Sequence, residues 1–109
     1  MHYTYNVTWK GIPVGEITDL EQDMWNMNGK WHGFEIPECK EFENLLLNFN
    51  MATFAKDPDA NAIKVVLFET QHADRKIYCL ATSIENNEIS LRQLVSEEAL
   101  NMFFPNRMQ

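Results

Sequence analysis

The sequence is poor in cysteine, glycine, proline and positive charge. Its 109 residues include two cysteines, four glycines and four prolines, with 9 Lys and Arg against 16 Asp and Glu. Two cysteines without an export signal are more typical of free thiols than of a disulfide framework. The net charge of -7 argues against nucleic acid and anionic membranes as partners, because both are bound mainly through Lys and Arg.

Long hydrophobic runs are also absent. The longest uninterrupted apolar runs, such as 45–47 and 65–68, cover only a few residues, whereas a helix needs roughly 20 to cross a bilayer. The first residues lack the cationic and apolar regions of a secretory signal. We therefore expect a cytoplasmic protein.

Motifs for nucleotide, zinc-protease, hydrolase and calcium chemistry are missing, so we expect no cofactor. An alternative is a nucleophilic Cys39 with His32 as its base, because both lie near the start of a predicted helix. The sequence identifies no third group that would orient this histidine, and a free cysteine is often buried. His2, His32 and His72 lack the close spacing of zinc ligands, so we expect no metal site.

What the chain does contain is enough apolar material for one domain, residues 1–109. Hydrophobic residues make up 45% of it, including three Trp, seven Phe and three Tyr, which is typical of a folded globular protein.

Alternating residues predict two β-hairpins in the N-terminal third. Residues 3–9 and 14–20 form the first, with a turn at 10–13 and a bulge near Gly15. Asn28-Gly29 predicts the turn of the second, because both residues tolerate a positive φ. In that register Trp25 lies opposite His32 and Asn26 lies opposite Trp31.

The remaining chain predicts a helix, a meander and a second helix. Pro37 begins a helix over 37–54, with Phe42, Leu45, Leu46 and Phe49 on one face. A loop at 57–61 leads to strands at 63–70, 77–84 and 89–94, with turns at 73–76 and 86–87. A short helix begins after Ser96, which is a good N-cap.

These elements predict an α+β fold. We expect an antiparallel sheet of about five to seven strands, made of the two N-terminal hairpins and the C-terminal three-stranded meander. The main helix packs on one face of the sheet, and the short C-terminal helix completes the domain.

The acidic residues are concentrated near the N-terminus. Residues 1–43 carry eight acids and three lysines. Glu16, Asp19, Glu21 and Asp23 form a run without a base, close to Trp25. Such a run is often a solvated strand edge. Beside an exposed tryptophan, it also suits a basic protein partner, because long-range attraction speeds association and a buried aromatic side chain slows release.

These observations lead us to expect a small acidic binding protein without enzymatic activity. The most specific version of this expectation is an immunity-type or antitoxin-type inhibitor that masks the basic site of a partner protein such as a nuclease. The predicted partner-binding residues are Glu16, Asp19, Glu21, Asp23, Trp25, Glu35, Glu38 and Glu41.

Two alternatives remain open from the sequence. One is a structural or self-assembling homodimer that buries an exposed tryptophan. The other is a small-ligand binder or enzyme with a pocket between sheet and helix, lined by Tyr78, His72, Cys79 or Cys39.

Overall fold

A closed antiparallel β-barrel forms the centre of the protein. The computed structural model describes residues 4–70 and 72–106. Its strands are β1 Tyr5–Trp9, β2 Ile12–Asp23, β3 Asn26–Gly33, β4 Lys64–Glu69, β5 His72–Glu85 and β6 Glu88–Gln93. They close in the order β1-β2-β3-β6-β5-β4, with β4 pairing back to β1.

The described part of the chain also contains four helices. Three of them connect β3 to β4, and the fourth follows β6. Within the described ranges, no helix is both long and apolar enough to cross a membrane. The helix bounds are α1 Pro37–Leu47, α2 Met51–Lys56, α3 Pro58–Asn61 and α4 Glu97–Phe103.

The predicted α+β class with an antiparallel sheet is confirmed, and the sheet closes into a barrel, which the prediction does not specify. Strand β1 uses both of its edges: Tyr5 lies opposite Ile17 of β2 and opposite Glu69 of β4. This pairing joins the N-terminal strands to the C-terminal meander. Each of the six described strands therefore has a neighbour on both sides, which removes the exposed edges of an open sheet.

The second predicted hairpin turn is wrong. Asn28 and Gly29 lie inside β3, and the chain reverses at residues 24–25 instead. Gly29 faces the barrel interior, where a Cβ would overlap the Cγ2 methyl of Ile17. This glycine therefore meets a packing requirement, and the pairings predicted for Trp25 and Asn26 do not form.

The first hairpin and the last turn agree with the sequence. The chain turns at Lys10 and Gly11, both at positive φ, as a two-residue hairpin loop requires. The predicted bulge is present, because Val7 pairs with Gly15 while the next residue of β1 pairs with Pro13. The predicted turn at 86–87 also has positive φ at both residues.

The predicted helix over 37–54 is divided in two. Asn50 interrupts the predicted helix because it is the N-cap of α2. The Asn50 side chain accepts hydrogen bonds from the N–H groups of Ala52 and Thr53 at 2.8 and 3.1 Å. Asparagine is a strong N-cap, which favours a new helix start over a continuous helix. The predicted loop at 57–61 contains α3, and the predicted turn at 73–76 belongs to β5.

Inward-facing side chains fill the barrel, and α1 adds to the same core. Cys39, Phe42 and Leu46 of α1 are buried with the interior residues of the strands. The ring of Phe42 lies 5.7 Å from that of Trp9 and 5.5 Å from that of Trp31. Two of the three tryptophans are therefore enclosed.

A second, smaller cluster lies outside the barrel. Phe103 of α4 packs with Leu80 of β5 and with Leu94, which follows β6. Ser96 caps α4 as predicted, since its hydroxyl accepts a hydrogen bond from the Ala99 N–H at 3.1 Å. This packing fixes α4 against the outer surface of the C-terminal strands.

Candidate functional site

Acidic side chains gather on the outer surface of β2, β3 and β6. Residues opposite each other in register share a face, so Asp23, Asn26 and Arg92 form one outward row. We call this surface the acidic face. It has five carboxylates and two cations, namely Glu16, Asp19, Glu21, Asp23, Glu88, Lys30 and Arg92.

Asp19 adds little negative potential to the acidic face. It lies in a register shift of β2 with a positive φ. Its carboxylate forms an ion pair with the Lys30 ammonium at 3.2 Å, and both side chains are substantially exposed. Exposed ion pairs contribute little to stability, but this one neutralises a charge that a partner would otherwise meet.

The β2–β3 turn combines free carboxylates with exposed apolar side chains. Glu21 and Asp23 are exposed, and neither forms an ion pair with any cation in the described residues. Met24 is 74% exposed and Trp25 is 46% exposed. We call these four residues the acidic tip.

Hydrogen bonds to the end of β6 hold the acidic tip in place. The Gln93 N–H donates to the Trp25 carbonyl oxygen at 2.8 Å. The Gln22 side-chain amide donates to Gln93 Oε1 at 2.6 Å and to the Met24 carbonyl oxygen at 2.9 Å. The exposed indole therefore lies on a turn that is fixed at both sides, which lowers the entropy lost on binding.

Three predicted partner-binding residues lie elsewhere. Glu35 follows the far end of β3, and Glu38 and Glu41 belong to α1. The eight residues of β3 place its far end roughly 23 Å from Asn26, and Glu16, which pairs with His32, lies near that same end. The first five predicted residues lie on the acidic face and the acidic tip, the other three lie on α1 or just before it, and binding of a partner by all eight stays a prediction.

The structure identifies the tryptophan that can act as a surface anchor. Trp31 is buried, and its Nε1–H donates to Glu43 Oε2 at 2.7 Å. Trp25 is the exposed member of the pair. The sequence prediction omits Met24 because it places the turn at 28–29, and only the correct strand register reveals this residue.

The thiol groups are poorly placed for nucleophilic chemistry. Burial raises the pKa of Cys39, and the nearby Glu43 carboxylate raises it further. The Nε2 of His32 lies 2.9 Å from the Thr18 hydroxyl, on the exposed surface of β3, whereas Cys39 is buried. Burial raises the pKa of Cys79 to about 12. Both environments disfavour the reactive thiolate.

The described residues proposed to line a pocket between sheet and helix lie on both sides of the barrel wall. Cys39 and Cys79 belong to the core, whereas Tyr78 faces a groove outside the barrel. His2 and the side chain of His72 lie outside the described residues. No group of three potential metal ligands occurs among the residues that the structure describes.

Comparison with protein-family models, curated proteins and solved structures found no match for this chain.

Proposed function

We propose that the protein is an acidic binding module that masks the basic site of a partner protein through the acidic tip. The observation that carries this proposal is the exposure of Trp25 beside Glu21 and Asp23, two carboxylates without a described cation partner. A tryptophan in this setting is a typical interface anchor. The fuller expectation, a cytoplasmic immunity-type or antitoxin-type inhibitor of a partner protein such as a nuclease, is one form of this proposal.

Charge and apolar contact would have separate roles in such binding. The acidic face has three more carboxylates than cations, so it attracts a basic surface over about one Debye length, roughly 8–10 Å. Attraction of this kind mainly increases the association rate. Burial of Trp25 and Met24 then slows dissociation.

Photo-crosslinking tests this proposal, because it captures whichever protein contacts the acidic tip. A benzophenone amino acid replaces Trp25 in one variant and Leu47, which is 68% exposed on α1, in the control. Both are irradiated in a lysate of the source cells at low salt. We expect position 25, but not position 47, to capture a basic protein.

The captured protein then permits a charge-matched kinetic test. Glu21→Gln with Asp23→Asn should reduce the association rate by about tenfold at low salt and much less at high salt. Glu38→Gln with Glu41→Gln removes the same charge at α1 and should have little effect. Equal effects of both pairs, or no capture at position 25, would overturn the proposal. Capture of a second copy of this chain would favour the self-assembling alternative.

A further inference from the structure

A groove of about 920 Å³ lies on the half of the barrel opposite the acidic face. Outward residues of β1, β4 and β5 form its floor, where Val66 lies between Thr8 and Tyr78 in register. The β1–β2 turn, α3 and residues 103–106 form its walls. Its volume is in the range of small-molecule sites, roughly 300–1,000 Å³.

This groove concentrates positive charge in an otherwise acidic protein. Lys10, Lys64 and Lys76 line it, although the whole chain has only nine Lys and Arg and a net charge of -7. Asp59 is the one acidic residue among its described lining residues, and its carboxylate lies 3.1 Å from the Lys64 ammonium. Lys10 and Lys76 form no ion pair with a carboxylate of the described residues.

Aromatic rings lie directly beside these ammonium groups. Lys10 Nζ is 4.6 Å from the centre of the Trp9 ring, and Lys76 Nζ is 5.9 Å from the centre of the Phe68 ring. Both distances are typical of cation–π contacts. Phe68 is an outward residue of the groove itself, whereas the Trp9 ring belongs to the barrel core, and Lys10 also lines a neighbouring cavity beside α2. Tyr78 adds a third ring and packs against Phe104 at 4.9 Å.

We propose that this lysine groove binds a small organic anion with a flat apolar body. Lys10 and Lys76 provide charge for a carboxylate, phosphate or sulfonate group, and Phe68 and Tyr78 provide a surface for the apolar body. The walls on three sides favour a compact ligand over an extended chain. The lysine groove lies on a different surface from the acidic tip, so this inference does not depend on the proposed function.

A pair of fluorescent probes tests the charge requirement. 1-Anilinonaphthalene-8-sulfonate is an anion, and N-phenyl-1-naphthylamine has the same rings without the sulfonate. An exposed ion pair changes an equilibrium constant by up to about fivefold. Lys76 lies in the same row as Phe68 and Asn6, four positions before Lys10, so the sulfonate pairs with one ammonium group at a time. We therefore expect the full-length chain to bind the anionic probe up to about fivefold more tightly than the neutral one.

A matched pair of variants locates the binding. Lys10→Gln with Lys76→Gln should abolish the preference for the anionic probe. Lys30→Gln with Lys40→Gln makes the same change of net charge outside the groove and should leave the preference intact. Circular dichroism checks that both variants fold. Equal affinity for both probes, or equal losses in both variants, would overturn the proposal.

Competition then distinguishes the anionic groups. 1-Naphthoate and 1-naphthyl phosphate share one ring system and differ in their charged group. Displacement of the sulfonate probe by only one of them would assign the ligand class as carboxylate or phosphate. Displacement by both at similar concentrations would support recognition of organic anions in general, and displacement by neither would contradict the proposal.

Discussion

Gly29→Ala is the most direct test of the barrel register. Gly29 is buried in β3, and an added Cβ would overlap the Ile17 Cγ2 methyl and approach the Thr18 carbonyl oxygen at 3.1 Å. Ile17 is fully buried, so its side chain has no free space to move into. Overpacking of this kind costs about 1–3 kcal/mol. For a chain of this size we expect the melting temperature to fall by about 10 °C.

A double-mutant cycle separates this overlap from a backbone effect. Ile17→Ala removes the obstructing methyl, so Gly29→Ala should cost at least about 1 kcal/mol less in that background than in the wild type. Gly11 provides the control, because it has a φ of +77° and nothing within 4 Å of an added Cβ. Gly11→Ala should therefore be destabilising but additive with Ile17→Ala.

Urea unfolding followed by tryptophan fluorescence measures each free energy of unfolding in the cycle. Additivity of Gly29→Ala and Ile17→Ala within about 0.5 kcal/mol would refute the register. It would favour Asn28-Gly29 as a hairpin turn, where the cost of Gly29→Ala comes from a positive φ alone.

Two further predictions concern buried polar chemistry. Burial raises the pKa of Cys79 from 9.0 to about 12, so the protonated thiol stabilises the folded state below pH 9, and this contribution is lost as the pH rises from 9 towards 12. Urea unfolding across this range should show a steeper loss of stability in the wild type than in Cys79→Ala, and parallel curves would contradict the assignment. Glu43→Ala removes the acceptor of the Trp31 Nε1–H and should cost about 1–3 kcal/mol, whereas Glu43→Gln retains an acceptor oxygen and should cost clearly less. Equal losses in the two variants would show that this hydrogen bond contributes nothing.

Local patterns predict the elements of the fold better than its closure. The alternation that predicts the first strand and the Ser96 cap that predicts α4 are properties of neighbouring residues. Closure depends on Tyr5 pairing with Glu69, across 64 positions of sequence. Nothing within either segment identifies the other, so an open sheet is the simpler prediction.

Asn28-Gly29 shows how one local signal can have two physical causes. Glycine is required where φ is positive, and it is equally required where a neighbouring side chain leaves no room for a Cβ. Every second residue around this dipeptide, namely Met27, Gly29 and Trp31, faces the barrel interior. This alternation of inward-facing residues favours a continuous strand. In a prediction from sequence, the strong turn preference of Asn-Gly outweighs it.

Net charge describes the electrostatic field of the chain at a distance but not the field within a groove. The sum over the chain determines the attraction that a distant partner meets, whereas a ligand within a groove meets charges a few ångströms away. The barrel separates these two effects. Its strand order places β2, β3 and β6 on one half and β1, β4 and β5 on the other, so Lys10 and Lys76 line a groove away from the acidic face. Under the two proposals, a chain with a net charge of -7 would attract a basic protein at one surface and bind a small anion at another, because the two sites meet different local fields.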